Sequence, residues 1–163
     1  MPLIKNTLEK ELEDILDRGK PSSSAEGASL WSKAYVAYAS GALSKAGSFP
    51  TNAQPNMGIL IGAFSSAFNS LSATTAASLI AQGIMSYWQA IVWVGPAAAG
   101  ATSLPGNLSL SANLSVVLLD LSEKTPAEKS KEFADIFDLG AKLVVVSDVP
   151  FVQPAPPIVG PIS

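Results

Sequence analysis

Four carboxylates lie closest to the apolar segments of this chain and are the side chains whose type could support acid–base chemistry: Asp120, Glu123, Asp135 and Asp138. Two carboxylates in one pocket can act as general acid and general base when their surroundings shift their pKa values apart. Asp120 and Glu123, however, flank a predicted turn. Asp135 and Asp138 are predicted to lie on the exposed side of a helix. The pattern therefore favours solvated carboxylates, and we predict no catalytic residue; an enzyme with a carboxylate-only site stays an alternative.

The composition removes most other reactive groups. The 163 residues include no cysteine and no histidine, so thiol nucleophiles, disulfides and the commonest general base and metal ligand are excluded. The glycine- and alanine-rich run at residues 95–100 lacks the Lys-Ser/Thr pair of a phosphate-binding loop. A net charge of −3 without a cluster of basic residues argues against nucleic-acid binding. We expect no enzymatic activity, no cofactor and no metal.

Residues 46–119 contain no Asp, Glu, Lys, Arg or His, although charged residues crowd both flanks. Charged residues make up 14% of the whole chain, against about 25% in typical soluble proteins. A segment of this length without charge has no ordinary solvated surface. It must be covered by other protein, by lipid, or by its own Ser, Thr, Asn and Gln side chains.

Two helices are predicted at the N-terminal end. Residues 3–18 carry apolar side chains at three- and four-residue spacing, with acidic residues mostly elsewhere, and Gly19 follows as a stop. After a linker, Ser23 and Glu26 have the spacing of a capping box, which predicts the start of a second helix. We expect this second helix to end near Gly47.

Two further helices are predicted inside the chargeless segment, the third beginning near Pro55 or Met57 and the fourth ending before Gly95. Residues 97–107 are expected to form a loop of small residues. Aromatic side chains repeat at helical spacing in the second, third and fourth helices, which is typical of core or interface anchors rather than of a ligand platform. These anchors are Trp31, Tyr35, Tyr38, Phe64, Phe68, Tyr87 and Trp88.

Residues 108–121 fit two structures. Apolar residues alternate with serine and asparagine, as they do in a half-buried strand. Leu110, Leu114 and Val117 nevertheless also line one face of a helix. We favour the helix because the neighbouring segments are helical and no hairpin partner is evident nearby.

A capped helix and a short strand follow. Thr125, Pro126 and Glu128 supply an N-cap, a first-turn proline and a capping-box acid for a helix from residue 126 to about residue 139. Residues 143–147 form a short β-prone run after Gly140. The elements together predict a mainly α-helical fold: a compact helical domain with an N-terminal amphipathic helix and an extended C-terminal arm.

The tail, residues 149–163, contains five prolines. Because proline lacks an N–H group and has a fixed φ angle, we expect the tail neither to continue a helix nor to pair along a sheet. Phe151, Val152 and Ile158 would be exposed on a free arm, which favours docking on a neighbouring chain; a disordered end is the alternative. The predicted organisation has three parts: an N-terminal helix (1–20), a helical domain (21–148) and the arm (149–163).

A membrane segment is the main alternative for the chargeless residues. Residues 79–101 are long enough to cross a hydrocarbon core of about 30 Å, which takes roughly 20 residues. Gln82, Ser86 and Gln89 interrupt this run, and no Lys or Arg flanks it where membrane topology is set. We favour a helix buried in an assembly, and a holin-like, membrane-permeabilising protein remains the alternative function.

Several features occur together: aromatic and alanine residues at Trp31, Ala34, Tyr35, Tyr38 and Ala39, a Tyr-Trp pair in a chargeless helix, a glycine-alanine loop and a Thr-Pro-x-Glu helix. Over residues 7–147 the chain thereby resembles small virion structural proteins of tailed bacteriophages, most closely those of the contractile-tailed and cyanophage-like groups. The resemblance implies a non-enzymatic capsid, neck, tail or baseplate subunit, made in the host cytoplasm and packaged in the virion. It implies other copies of itself and other virion proteins as partners, and it transfers no catalytic residue.

Overall fold

The structure is a computed structural model that describes residues 3–17, 21–95, 97–103, 107–121, 123–150 and 158–163. Six helices and five short strands occur in these residues, which confirms the predicted mainly α-helical fold. The helices are α1 (Lys5–Asp17), α2 (Ser24–Ala39), α3 (Met57–Phe68), α4 (Ala73–Gln89), α5 (Asn107–Leu119) and α6 (Pro126–Lys142). The strands are β1 (Phe49–Pro50), β2 (Trp93–Val94), β3 (Ala97–Ser103), β4 (Val145–Pro150) and β5 (Ile158–Pro161).

The helices pack in chain order and close into a ring. Each helix from α1 to α5 contacts the next one, and α6 contacts α1. Large side chains of α2 and α6 meet across the middle, where the ring centroid of Trp31 lies 4.8 Å from that of Phe133. The core is therefore aromatic at its centre, and Leu8 and Leu12 of α1 are fully buried against it.

Local capping signals account for where α2 and α6 begin. At α2 the Ser23 hydroxyl accepts a hydrogen bond from the Glu26 amide (3.1 Å), and the Glu26 carboxylate accepts one from the Ser22 amide (2.9 Å). At α6 the full reciprocal capping box is present between Thr125 and Glu128. The predicted starts of α2 and α6 are thus confirmed, because each cap satisfies amide groups that have no partner within the helix.

The second helix ends earlier than predicted. We expected its end near Gly47, whereas α2 ends at Ala39. The Ser40 hydroxyl donates to the Val36 carbonyl (2.7 Å), and the Gly41 amide bonds to Tyr38 in a tighter, three-residue turn. A serine side chain that donates to the carbonyl four residues earlier, followed by a glycine, ends the helix at this point.

The segment with two interpretations is helical, and the favoured prediction is confirmed: residues 107–119 form α5. The β-prone run also forms a strand, β4, which begins at Val145. The expected loop at residues 97–107 was wrong for residues 97–103, which form β3 and pair antiparallel with β4. Alanine- and glycine-rich residues have little strand preference of their own, so the pairing with β4 decides their structure.

The expectation that the tail cannot pair along a sheet was also wrong. Strand β5 pairs antiparallel with β4 and forms one edge of a sheet ordered β3-β4-β5. Pro161 is tolerated because it lies at the end of an edge strand. Beyond it Ile162 is buried in this chain, and Ser163 exchanges two backbone hydrogen bonds with Leu43, each 2.9 Å long. Residues 158–163 therefore dock on their own chain, not on a neighbour as expected.

Candidate functional site

The four carboxylates singled out in the sequence do not form one site. Asp120 is exposed and pairs with Lys124 (2.9 Å) at the end of α5. Glu123 is exposed, and Asp135 forms an ion pair with Lys5 of α1. Within the described residues, no group of three or more His, Cys, Asp or Glu side chains is arranged to hold a metal ion.

Asp138 is the carboxylate that the sequence placed incorrectly. It was expected on the exposed side of α6, but it is buried and accepts a hydrogen bond from the Tyr38 hydroxyl (2.7 Å). Its second oxygen pairs with Lys142 (2.8 Å), one helical turn further on. Burial, then Tyr35 and then the bond to Asp138 raise the pKa of Tyr38, so this hydroxyl stays protonated and donates. Asp138 therefore ties α2 to α6.

Most of the predicted aromatic anchors lie in the core. Trp31, Tyr35, Tyr38, Phe64, Tyr87 and Trp88 are all buried. Phe68 is 36% exposed and lies at the rim, with its ring centroid 5.7 Å from that of Trp31. Ile158 is part of β5, but its side chain is not among the described ones, and Phe151 and Val152 lie outside the described residues.

Hydrogen bonds satisfy only some polar groups of this aromatic cluster. The indole N–H of Trp88 donates to the Tyr35 hydroxyl (2.8 Å), which links α4 to α2. The Tyr87 hydroxyl and the indole N–H of Trp93 are buried without a hydrogen-bond partner in the described part of the chain. Trp93 stacks on Trp88 with the two planes 13° apart. These contacts hold the core together and leave the anchors little surface to offer a partner.

The surface of α5 carries a feature that the sequence analysis missed. Leu108, Val116 and Leu119 are 85%, 68% and 72% exposed. Ala112 is also exposed, and spacings of four, four and three residues place all four side chains on one face of the helix. We call this face the α5 stripe. It is apolar along its whole length, and α5 contains no charged residue.

The opposite face of α5 is buried. Leu110, Leu114 and Val117 pack into the core against α4 and α6. A helix with apolar residues on two opposite faces produces a nearly alternating sequence, which explains why residues 108–121 also fitted a strand. The sequence therefore contained a signal for the α5 stripe. Three of its residues, Leu108, Ala112 and Val116, are among the apolar residues of the strand-like alternation.

A second exposed apolar patch lies on the two-stranded sheet. Phe49 of β1 is opposite Val94 of β2 in the strand register, and both side chains are exposed. Val92 is exposed beside them, while Trp93 points into the core. Leu71, in the turn between α3 and α4, is fully exposed. All these residues belong to the chargeless segment.

A shallow groove of about 320 Å³ runs beside the α5 stripe. Val116 and Val117 of α5 form one wall, and Ile136 of α6 lies opposite. Glu132 and Asp135 line its α6 side, and both are already paired with lysines. The groove thus continues the apolar surface of the stripe up to the charged face of α6.

Among the described helices, none combines the length and the apolar character needed to cross a membrane. Comparison with protein-family models, with curated proteins and with solved structures found no match.

Proposed function

We propose that this chain is a structural subunit of a bacteriophage virion that joins its neighbours through the surface of its chargeless segment, residues 46–119. Its role is assembly rather than catalysis. The partners are other copies of the chain and other proteins of the particle, in the capsid, neck, tail or baseplate.

The distribution of exposed apolar side chains carries this proposal. Contiguous apolar patches on a folded protein mark surfaces that other molecules cover. Most large exposed hydrophobic residues of the described chain come from the chargeless segment, although that segment also supplies much of the core: Phe49, Phe68, Leu71, Val92, Val94, Leu108, Val116 and Leu119. A surface without charge can be buried against a partner without desolvating ions.

The resemblance to small virion structural proteins supports the proposal that the assembly is a phage particle. It rests on the aromatic and alanine spacing of α2, and on the Tyr87-Trp88 pair of α4. In this structure those residues build the core of the ring. The proposal therefore assigns neighbour contacts to the exposed aliphatic residues and gives the aromatic residues a supporting role.

Mass spectrometry of purified particles tests the proposal. We expect peptides of this chain to be recovered from gradient-purified virions at a fixed ratio to a major structural protein. Absence of the chain from purified particles contradicts the proposal. Recovery in the host membrane fraction, with detergent required for extraction, supports the holin-like alternative instead.

A matched pair of variants tests the surface. Val116→Asp places a charge in the chargeless surface, and we expect at least tenfold less incorporation into particles. Leu139→Asp changes an exposed apolar residue of α6 outside that segment and should be incorporated normally. Equal incorporation of the two variants argues against assembly through this surface.

A further inference from the structure

The side chains of two α5 stripes match each other in size when the two helices are antiparallel. Leu108 and Leu119 stand at its two ends, and Ala112 and Val116 stand between them. When two copies of α5 lie antiparallel, Leu108 of one copy faces Leu119 of the other, and Ala112 faces Val116. Each large residue at an end then meets another large one, and the small residue at the middle lets the helices approach. Such pairing of one patch with itself is the geometry of a two-fold interface.

Charge favours a second copy as the occupant of this face. The chain carries a net charge of −3, so contacts between acidic faces of two copies are repulsive. The stripe is an exception, because α5 has no charged residue and the stripe is flanked by Ser109, Asn113 and Ser115. A neutral apolar face is complementary to itself, whereas a charged partner would be left without counter-charges there.

The residue after the helix selects the antiparallel orientation. Asp120 follows directly at the C-terminal end of α5; it is exposed, and one of its carboxylate oxygens pairs with Lys124. In a parallel pair the two Asp120 carboxylates would lie side by side at one end. In an antiparallel pair they are separated by the length of the helix, which is roughly 18 Å at 1.5 Å per residue. Each carboxylate then lies towards the positive N-terminal end of the other α5, where a negative charge is favoured.

We propose that two copies of this chain associate through the α5 stripe, as an antiparallel helix pair about a two-fold axis between Ala112 and Val116. The inference rests on the proposed assembly role, and it names both the partner and the face. Packing of the stripe's ridge into the opposite groove brings the helix axes to about 8–10 Å. The dimer is then one building unit of the larger assembly.

The mass of the isolated protein in solution tests the interface. Sedimentation equilibrium should give a dimer for the full chain and a monomer for Val116→Asp, with the dissociation constant raised at least a hundredfold. Leu71→Asp is the matched control, because Leu71 is fully exposed and lies in the turn between α3 and α4, outside α5, and this variant should remain a dimer. Far-UV circular dichroism and thermal unfolding establish that both variants stay folded.

Cysteine cross-linking tests the orientation. The chain has no cysteine of its own, so each introduced thiol reports one position. An oxidised mixture of Leu108→Cys and Leu119→Cys should give a disulfide-linked dimer of the two variants. Leu108→Cys alone should cross-link at least tenfold less. Efficient cross-linking of Leu108→Cys with itself indicates a parallel pair and overturns the proposal.

The remaining outcomes separate this inference from the proposed function. A full chain that is monomeric at 100 µM, or a Val116→Asp variant that dimerises as well as Leu71→Asp, overturns the α5 dimer. If that same chain is nevertheless recovered from purified virions, the assembly role stands and only the interface fails. A dimer whose chain is absent from particles overturns the assembly role and leaves the interface intact.

Discussion

The hydroxyl groups of three tyrosines lie in the aromatic core in three different environments. Tyr35 accepts a hydrogen bond from an indole, and Tyr38 donates one to a carboxylate. Tyr87 has no partner for its hydroxyl within the described residues. Burial raises the pKa of all three hydroxyls, so each remains protonated at neutral pH. A hydrogen bond thus offsets the cost of desolvating the hydroxyl at Tyr35 and at Tyr38, but not at Tyr87.

This difference predicts opposite results for two otherwise identical substitutions. Tyr38→Phe should lower the free energy of unfolding by about 1–3 kcal/mol, because the buried carboxylate of Asp138 loses its hydrogen-bond donor. Tyr87→Phe should leave it unchanged or raise it by up to about 1 kcal/mol, because an unpaired buried hydroxyl is removed. Urea unfolding with equal m-values measures both. A loss at Tyr87 as large as that at Tyr38 contradicts the assignment.

The burial of Asp138 could not be predicted from the sequence around it. Charged side chains are rarely buried, and α6 offers other charged residues, so the sequence favoured an exposed position for this carboxylate. What makes burial acceptable is Tyr38, which lies 100 positions away in the sequence. No local pattern reports a partner at that separation. The aromatic repeats of α2 and α4 could be identified as core or interface anchors, but the sequence did not distinguish these two roles.

At the scale of the elements, one close helix contact depends on a glycine. Gly83 of α4 is buried, and a Cβ atom added to it would overlap the Cβ of Ala63 in α3. The two helices therefore approach more closely here than any side chain at position 83 would permit. Gly62, one residue before Ala63, is exposed and has open space around the corresponding position.

The two glycines predict a matched pair of variants. Gly83→Ala should lower the free energy of unfolding by about 1–3 kcal/mol, because the added methyl group separates α3 from α4. Gly62→Ala should raise it by about 0.5–1 kcal/mol, because alanine is the better helix former and meets no obstacle. Thermal and urea unfolding measure the changes. Stabilisation by both substitutions would show that α3 and α4 are not in close contact.

The capping box of α6 predicts a pH effect. Hydrogen bonds from the Thr125 amide and hydroxyl hold the pKa of Glu128 below its ordinary value of 4.5. A carboxylate whose pKa is lower in the folded state stabilises the fold above the pKa of the unfolded chain, and loses that effect as pH falls through the folded value. Glu128→Gln keeps the size and shape of the side chain but removes its charge. The variant should therefore be less stable than the original chain at pH 7. The difference should vanish below the folded pKa, as followed by urea unfolding from pH 7 to pH 3.

The sequence predicted elements well where their signals are local. Ser23 and Thr125 start α2 and α6 through contacts within the first helical turn. Strands β3 and β5 depend on pairing with β4, and neither their alanine nor their proline content indicates a strand. Helix α5 falls between these cases, because its two apolar faces imitate a strand until the neighbouring helices are considered.

At the scale of the whole molecule, the C-terminal residues close the structure. Strand β5 and Ile162 fill the gap between β4 and the segment after α2, where Ser163 pairs with Leu43. Ile162→Ala should therefore lower the free energy of unfolding by about 2–5 kcal/mol, through lost burial and a residual cavity. Ile4→Ala, at a half-exposed isoleucine, should change it by less than about 0.5 kcal/mol. Equal effects in denaturant unfolding would mean that the C-terminal residues are not docked.

The candidate surface could be located from the sequence only as a segment. The absence of charge in residues 46–119 indicated a covered surface, and the structure divides that segment between core and exterior. Phe64 turns inward against rings of both α2 and α6, and Tyr87 and Trp88 turn inward against Tyr35 of α2. Leu108 and Val116 turn outward because α5 buries its other face. Which of the two apolar faces of such a helix is buried depends on the neighbouring elements. The sequence does not show how these elements are arranged around the helix.

The closed ring of helices has a kinetic consequence. Its main contacts join helices that follow one another in the chain, apart from the contact of α1 with α6. Closing a loop costs entropy that grows with loop length, by about 0.6 kcal/mol for each doubling, so the α1–α6 contact forms against the largest entropic barrier. We expect α1 to dock last during folding and to detach first. In native-state hydrogen exchange, amide protons of α1 should exchange before those of α4, at denaturant concentrations where the other helices remain protected.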